Sequence, residues 1–448
     1  MKFGGTSVAN AVNIKRVISI VAGRLEKRPV VVVSALAGVT DSLYRICASL
    51  AASDVEAAEW VIDGLKSKHE AVIRELIPED SNHYRRIRDE VYEVLDRLQE
   101  LSRAIGVIGE LSDRSKAVII STGEFLSAKI ICAAMNYSGI RTKFADSRKM
   151  IITDEVYLKG EPDIEQICLR VPDFVGQAFA GSEAVITQGF VSSTIEGTPT
   201  VLGRGGSDFT ASLIGQAMKA SVIEIWTDVN GVHTADPRKV KKTRSNHVIS
   251  FEEAAEMANC GAKVLHQRTM EPAVREGIPI RVLNSFSPED EGTIIFTEAV
   301  PGVKAVSSND KISVLSIRAT DTIVDNVVFV QKVLSYFQKE RIQVRMMSLL
   351  SGGVTVVIDE SSDLTGLLGR LAGFAKVEMI YEKSQISIVG KDVVQIDGLF
   401  GKVFGGLLDK RISMITKSAS GISLSFIADV DDVTEILNII HRELFETE

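Results

Sequence analysis

From Met1 to about Thr297, short β-branched apolar runs alternate with longer stretches in which apolar residues recur at helical spacing. This alternation predicts an α/β domain built on a mainly parallel sheet sandwiched by helices. Val30 to Val33, Ala117 to Ile120, Ala184 to Thr187 and Val222 to Trp226 read as buried strands, each followed by glycine, a polar loop or both. Ligands of open α/β sheets sit beyond the carboxyl ends of the strands, so these loops are where a site is expected. Residues 54–114 are highly charged, poor in glycine and without strand signal, which predicts a helical insertion serving as lid or scaffold. Its Arg85, Arg86, Arg88, Asp89 and Glu90 read as a solvated face.

After Thr297 the pattern becomes two short repeats of strand, helix, strand, strand, helix, strand. The first covers Ile312 to Ile317, a helix near Asn326 to Lys339, Ile342 to Met347, Val354 to Ile358, a helix near Leu364 to Leu371, and Val377 to Ile380. The second covers Gln385 to Val389, Ile396 to Leu407, Ile412 to Thr416, Ile422 to Ile427 and Val433 to Leu444. The expected boundaries are therefore 1–297, 298–383 and 384–448, with the 303–308 strand a candidate to complete the last module.

The chain has 448 residues, more than one hydrophobic core usually supports, and its 45% hydrophobic and 25% charged residues are those of a globular protein. A net charge of −8 and a pI near 5.5 argue against a nucleic-acid partner. Lys239, Lys241, Lys242 and Arg244 form too short a basic patch to change that. Cys47, Cys132, Cys168 and Cys260 lack metal or disulfide spacing and read as buried free thiols. His69-Glu70 opens like a zinc-protease helix, but Ile73 stands where the second histidine is required. No run of about eighteen apolar residues and no secretory progression is present, so the expectation is a cytoplasmic protein without a membrane partner.

The chemistry lies in two distant segments, Lys2-Phe3-Gly4-Gly5-Thr6-Ser7 and Gly203-Arg204-Gly205-Gly206-Ser207-Asp208. Each combines paired glycines, which let backbone N–H groups approach an anion, with a cation and hydroxyl donors. Together they describe a phosphoryl-transfer site, although neither the Walker spacing nor the protein-kinase signatures occur.

Six ordered segments then carry a specific resemblance: KFGGTS at the start, SALAGVTD from Ser34 to Asp41, STGE from Ser121 to Glu124, LGRGGSD from Leu202 to Asp208, WTDVNGVHTADPR from Trp226 to Arg238, and GAKVLH from Gly261 to His266. In this order and spacing they resemble the aspartokinases. The resemblance implies an amino-acid-kinase fold followed by two ferredoxin-like βαββαβ ACT modules, one nested in the other. It implies phosphorylation of the side-chain carboxylate of L-aspartate by ATP, with Mg2+ arriving on the nucleotide and no metal held by protein side chains. It further implies a homodimer or dimer of dimers through the ACT modules.

Carried over residue by residue, the resemblance makes Lys2 the cation that bridges and follows the transferred phosphate, with Gly4 and Gly5 as backbone donors. Asp208 would orient Lys2 and a second lysine, although helix capping also suits it. Arg204 suits the substrate α-carboxylate through its planar fork, with Gly205, Gly206 and Ser207 beside it. Glu124 would meet the α-ammonium, though dipole compensation at a helix start also explains a glutamate there. Thr40, itself also a possible helix cap, and Ser34 would line the same pocket. Thr227, Asp228, His233, Arg238, Lys263 and Val264 would form the nucleotide end; Asn230-Gly231 is independently a turn. Only Met1 precedes Lys2 where the family carries several apolar residues, predicting a short first strand and a less firmly held Lys2. His233 replaces a frequent tyrosine, and Gln267 a frequent proline.

The sensor modules depart further. Residues 320–326 lack glycine, and Met346-Met347-Ser348-Leu349-Leu350 replaces a Thr-Ser-Glu-like segment. The expectation is an end-product effector, lysine foremost, around Asp325, Met347 and Ser348; a purely architectural pair is the alternative. For the whole chain the alternatives are a kinase of the same fold acting on glutamate, acetylglutamate or a nucleoside monophosphate, or a non-catalytic amino-acid sensor.

Overall fold

The computed structural model describes the whole chain except Lys263, Val264, His266, Ala299, residues 321–324, Ser351, Ser361 and residues 447–448. It divides into two compact units: Met1–Val232 with Leu265–Thr297, and His233–Val264 with Glu298–Glu448. Compactness therefore does not follow the sequence boundary at Thr297 alone, because the segment 233–264 belongs with the C-terminal part.

In the first unit the strands Thr142–Phe144, Ala184–Gln188, Val30–Val33, Lys2–Phe3, Ile223–Thr227, Ile280–Asn284 and Thr293–Phe296 follow one another in that spatial order. All pairings are parallel except the last, where Thr293–Phe296 runs against Ile280–Asn284. The Lys2–Phe3 strand is short, yet it lies between two neighbours, with Lys2 opposite both Val32 and Ile225. Lys2 is consequently buried and held from both sides, contrary to the weak anchoring expected of so brief a strand. Phe3 stacks on Trp226 with ring centroids 5.8 Å apart, and both are fully buried. Burial of such rings ties the first strand to the Ile223–Thr227 strand by roughly 1.5–3 kcal/mol per large side chain.

Residues 117–120 are not a strand. They form the last turn of a helix, Asp113–Ile120, which Ser112 caps by accepting from the Ser115 N–H, and a second helix, Thr122–Tyr137, follows directly. A four-residue apolar run suits a buried strand or a buried helix equally, and here the capping serine upstream decided. By length and composition residues 113–137 could cross a membrane, but 67% of that window is buried inside the unit, as befits core helices. The charged insertion is two long helices, Val55–Leu76 and Asn82–Ile108, capped by Asp54 and Ser81. Their apolar faces join the main core through Ile62, Ile73, Leu95 and Leu98.

The second unit carries a six-stranded sheet in the order Val344–Leu350, Gly353–Asp359, Ala305–Ala319, Ala375–Val389, Ser423–Asp429, Ile412–Lys417. Two strands are long because each serves both repeats. Ala305–Asn309 pairs with Gln385–Val389, and Val314–Ala319 pairs with Ala375–Ile380, across register shifts between Asn309 and Val314. The 303–308 region thus supplies a strand to the last module, and the two modules share one sheet. Phe329, Val333, Phe337, Leu367 and Leu371 form the helical cover of one half; Leu399, Val403, Ile436, Leu437 and Ile440 cover the other. The four cysteines are free, but only Cys47 and Cys260 are buried: Cys132 is partly exposed, and Cys168 lies on the outer face of the Ile164–Phe179 helix.

Candidate active site

Parallel strands end at one edge of the sheet, and the glycine motifs gather there. After Phe3 the chain turns at Gly4, whose N–H donates to the Trp226 carbonyl at 3.2 Å. That donor is committed, so the expectation that Gly4 presents it to a phosphate is corrected. A Cβ at Gly4 would stand 3.5 Å from Lys2 Nζ and one at Gly5 3.4 Å from the Ala35 carbonyl, both ordinary contacts, so space alone does not require glycine at either position.

Lys2 Nζ lies 2.5 Å from Asp208 Oδ1, although the geometry is that of an ion pair rather than an aligned hydrogen bond. Asp208 is in the first turn of the Gly206–Ala217 helix, and the cap is Gly205 at φ +71°, so Asp208 is not the capping residue. Among the described residues no second lysine pairs with Asp208. The Gly206 N–H donates to the Gly203 carbonyl at 3.0 Å, which makes it part of the turn rather than a free donor. Ser207 is buried, and its N–H, in the first helical turn, has no intrahelical acceptor.

These residues line a cavity of ≈ 250 Å³ together with Ser34, Thr40, Glu124, Phe190 and Gly203. Thr40 reaches it from the first turn of the Val39–Ala51 helix, whose cap is Gly38, so a capping role for Thr40 is also excluded. Glu124 comes from the first turn of the Thr122–Tyr137 helix, at a helix–helix junction and not at a strand end as the pattern suggested. Its carboxyl is 4% exposed and accepts from the backbone N–H groups of Glu124 and Ala35, while Oε2 has no partner. Burial pushes its pKa up to about 8, and those backbone donors only partly offset the effect. A buried acid held protonated is poised to ionise when a cation enters.

Arg204 is exposed between Gly203 at φ +77° and Gly205 at φ +71°, and it does not line the cavity. Thr227 and Asp228 follow the Ile223–Thr227 strand at the edge where Gly4 turns, and Thr227 Oγ1 donates to Asp228 Oδ1 at 3.1 Å. His233 and Arg238 belong to the second unit. There His233 Nδ1 is 3.1 Å from Thr243 Oγ1, with its pKa lowered chiefly by burial, and the Arg238 N–H donates to Asp236 Oδ1. Lys263 and Val264 lie outside the described residues. Asp325 caps the Asn326–Lys339 helix, accepting from the N–H groups of Val327 and Val328. Met347 and Ser348 lie on the edge strand Val344–Leu350, where Met347 is exposed.

Sequence reading missed Gly189 and Phe190. They follow the Ala184–Gln188 strand, and the signal was that position at a strand's carboxyl end. Phe190 lines the cavity in a left-handed conformation, φ +66°, and its N–H is held by Thr210 Oγ1. A larger cavity, ≈ 410 Å³, opens near the opposite ends of the strands beside Met1, Val30 and Ile223, but carries none of the paired-glycine chemistry. Among the described residues no group of His, Cys, Asp and Glu could hold a metal ion.

A Cβ at Gly189 would fall 2.6 Å from Ser207 Cβ and 2.8 Å from Ser207 Cα. Backbone must then shift, so Gly189→Ala is expected to destabilise the protein by about 1–3 kcal/mol, measured by denaturant unfolding.

Comparison with known proteins agrees with this geometry. The model of the amino acid kinase family matches residues 1–284. Lysine-sensitive aspartokinase 3 of Escherichia coli is 32% identical over 460 residues, covering 99% of this chain and 98% of that protein. Aspartokinase 1, chloroplastic, of Arabidopsis thaliana is 30% identical over 471 residues, covering 100% of this chain and 80% of that one. The crystal structure of Escherichia coli aspartokinase III in complex with aspartate and ADP (R-state) superposes with a TM-score of 0.85 at 30% identity, over 99% of both chains. The same enzyme in complex with lysine and aspartate (T-state) gives 0.78, over 99% of this chain and 98% of that one. From its glycine-flanked cavity to its paired C-terminal modules, this chain belongs to the amino acid kinase family and, within it, to the aspartokinases.

Proposed function

We infer that this protein transfers the γ-phosphoryl group of ATP to the side-chain carboxylate of L-aspartate, giving 4-phospho-L-aspartate and ADP. The observation that carries this reading is the meeting of Lys2, Asp208, the Gly205–Ser207 turn, Thr40 and Glu124 around one cavity. The aspartate side chain, with a reference pKa of about 3.9, is already ionised near neutral pH and needs no strong base. The barrier is repulsion between a carboxylate and a polyphosphate, so the task is charge neutralisation and in-line positioning.

Lys2 neutralises the transferring group, and Asp208 holds its ammonium in place. Ser207 supplies hydroxyl and N–H donors. Glu124 takes the α-ammonium of aspartate, Thr40 and Ser34 contact the substrate, and Arg204 closes on the α-carboxylate from the rim. Thr227 and Asp228, at the end of the Ile223–Thr227 strand, contact the nucleotide. A Mg2+ ion carried by the phosphates would offset their charge. The paired modules support feedback control, with lysine as effector around Asp325, Met347 and Ser348, and assembly as a homodimer or dimer of dimers. The reaction is the entry to lysine, threonine and methionine synthesis in the cytoplasm.

A coupled ADP-release assay across aspartate, glutamate and acetylglutamate tests the acceptor. Turnover on aspartate alone is expected; turnover on glutamate alone, or none at all, would refute the reading. In the same assay Lys2→Ala is expected to cut kcat by about 100-fold or more with little change in aspartate KM, whereas Arg204→Ala mainly raises aspartate KM.

Glu124 also predicts a pH dependence. Aspartate binds the ionised carboxylate, while the empty site favours the protonated acid below about 8. Aspartate KM should therefore fall as pH rises from 6.5 to 8.5, with proton release on binding measurable by calorimetry in two buffers. Glu124→Gln should remove that pH dependence.

A further inference from the structure

The basic side chains of the helical insertion are mostly neutralised by acids on the same two helices. Lys66 pairs with Asp96, Arg74 with Glu70, Arg86 with Glu90, Arg97 with Glu93 and Arg103 with Glu59. Lys68 breaks the pattern. It lies on the Val55–Leu76 helix, half-buried, and among the described residues no carboxylate pairs with it. Its Nζ instead donates to the backbone carbonyl of Ala37, across 31 residues of chain. A second measure of the same placement comes from Gly38: a Cβ built there would lie 3.6 Å from Lys68 Nζ.

Ala37 and Gly38 form the turn that delivers Thr40 to the cavity. Ser34 is tied to the first strand through its N–H and the Phe3 carbonyl at 3.1 Å. The next residue, Ala35, donates its N–H to the Glu124 carboxyl. At Gly38, φ +75°, the chain reverses into the Val39–Ala51 helix with no side-chain cap to fix its start. The turn is thus held at its beginning by Phe3 and Glu124 and at its end by Lys68. Without Lys68 the Ala37 carbonyl loses the one charged donor it has among the described residues, and with it the tie between the insertion and the Ala37–Gly38 peptide.

We propose that Lys68 is a positioning residue of the substrate pocket, holding the Ala37–Gly38 turn so that Thr40 faces the cavity, and that the insertion is present partly to supply it. The proposal rests on the reading of this cavity as the aspartate site. A charge-assisted hydrogen bond is stronger than a neutral one, and the half-buried setting limits competition from water. The ammonium also adds positive potential beside a pocket that takes an amino acid bearing two carboxylates and a net charge of −1. Lys68 touches neither substrate nor phosphate in this account, so it acts on aspartate recognition and not on transfer.

The test is steady-state kinetics of Lys68→Met and Lys68→Arg with aspartate and ATP varied separately, beside thermal melts. Lys68→Met should raise aspartate KM by about tenfold, leaving kcat and ATP KM within about twofold and the melting temperature unchanged. Lys68→Arg, which keeps the donor and the charge, should recover most of the aspartate KM. An unchanged aspartate KM in Lys68→Met, or aspartate and ATP constants worsening together with a lowered melting temperature, would overturn the proposal. Amide exchange across residues 35–41, followed by mass spectrometry without substrate, reads the tether independently. It should accelerate in Lys68→Met and return towards wild type in Lys68→Arg; unaltered exchange would also overturn it. Failure of the wild type to phosphorylate aspartate would count against the functional reading, and the exchange data would still decide for or against the tether.

Discussion

The ion pair between Lys2 and Asp208 joins the first strand to the helix that follows the glycine turn at residues 203–206, and the arrangement of the site depends on it. A lysine two residues into a chain has no intrinsic reason to be ordered. It is ordered here because the strand carrying it lies between Val30–Val33 and Ile223–Thr227, and because Phe3 is stacked on Trp226. Asp208 then fixes where the ammonium points. Both partners are mostly shielded from water, which keeps the attraction strong relative to an exposed pair.

Around that pair the cavity is lined by the hydroxyl-bearing Ser34, Thr40 and Ser207 and by the carboxyl of Glu124. The one buried acid facing the cavity without a cation, Glu124, is held protonated by burial until a cation arrives. In the proposed reading, substrate binding is thereby coupled to a proton, because burial at the junction of two helices, and not a neighbouring charge, raises the pKa. The lining is fixed by backbone as well as by side chains: Gly189 packs against Ser207 and Gly206 against Phe190. These are close approaches that a Cβ would prevent.

Much of this was legible in the sequence because the relevant chemistry has short-range signatures. Paired glycines beside a cation announce an anion site wherever the fold places them, and strands such as Val30–Val33 and Ala184–Gln188 are short apolar runs bounded by turns. The failures have physical causes as well. Residues 117–120 carry a strand-like composition, yet they end a helix started by Ser112, so a local cap prevailed over a local run. Capping was the secondary role open to Asp208 and Thr40, and glycines in left-handed conformations start both helices instead, leaving those side chains for the cavity. Phe190 and Lys68 were invisible because their roles depend on contacts between residues far apart in sequence. The part of the 303–308 strand in the last module was legible from the resemblance, whereas the register shifts between Asn309 and Val314 that let one strand serve both halves of the sheet were not.

The most direct test of charge convergence is a crystal structure of the protein with aspartate and an unreactive ATP analogue. The account predicts the aspartate side-chain carboxylate and the terminal phosphate facing each other in the cavity, with Lys2 Nζ on phosphate oxygens and Glu124 on the α-ammonium. Ligands bound without contact to Lys2 or to the 205–208 turn would contradict it.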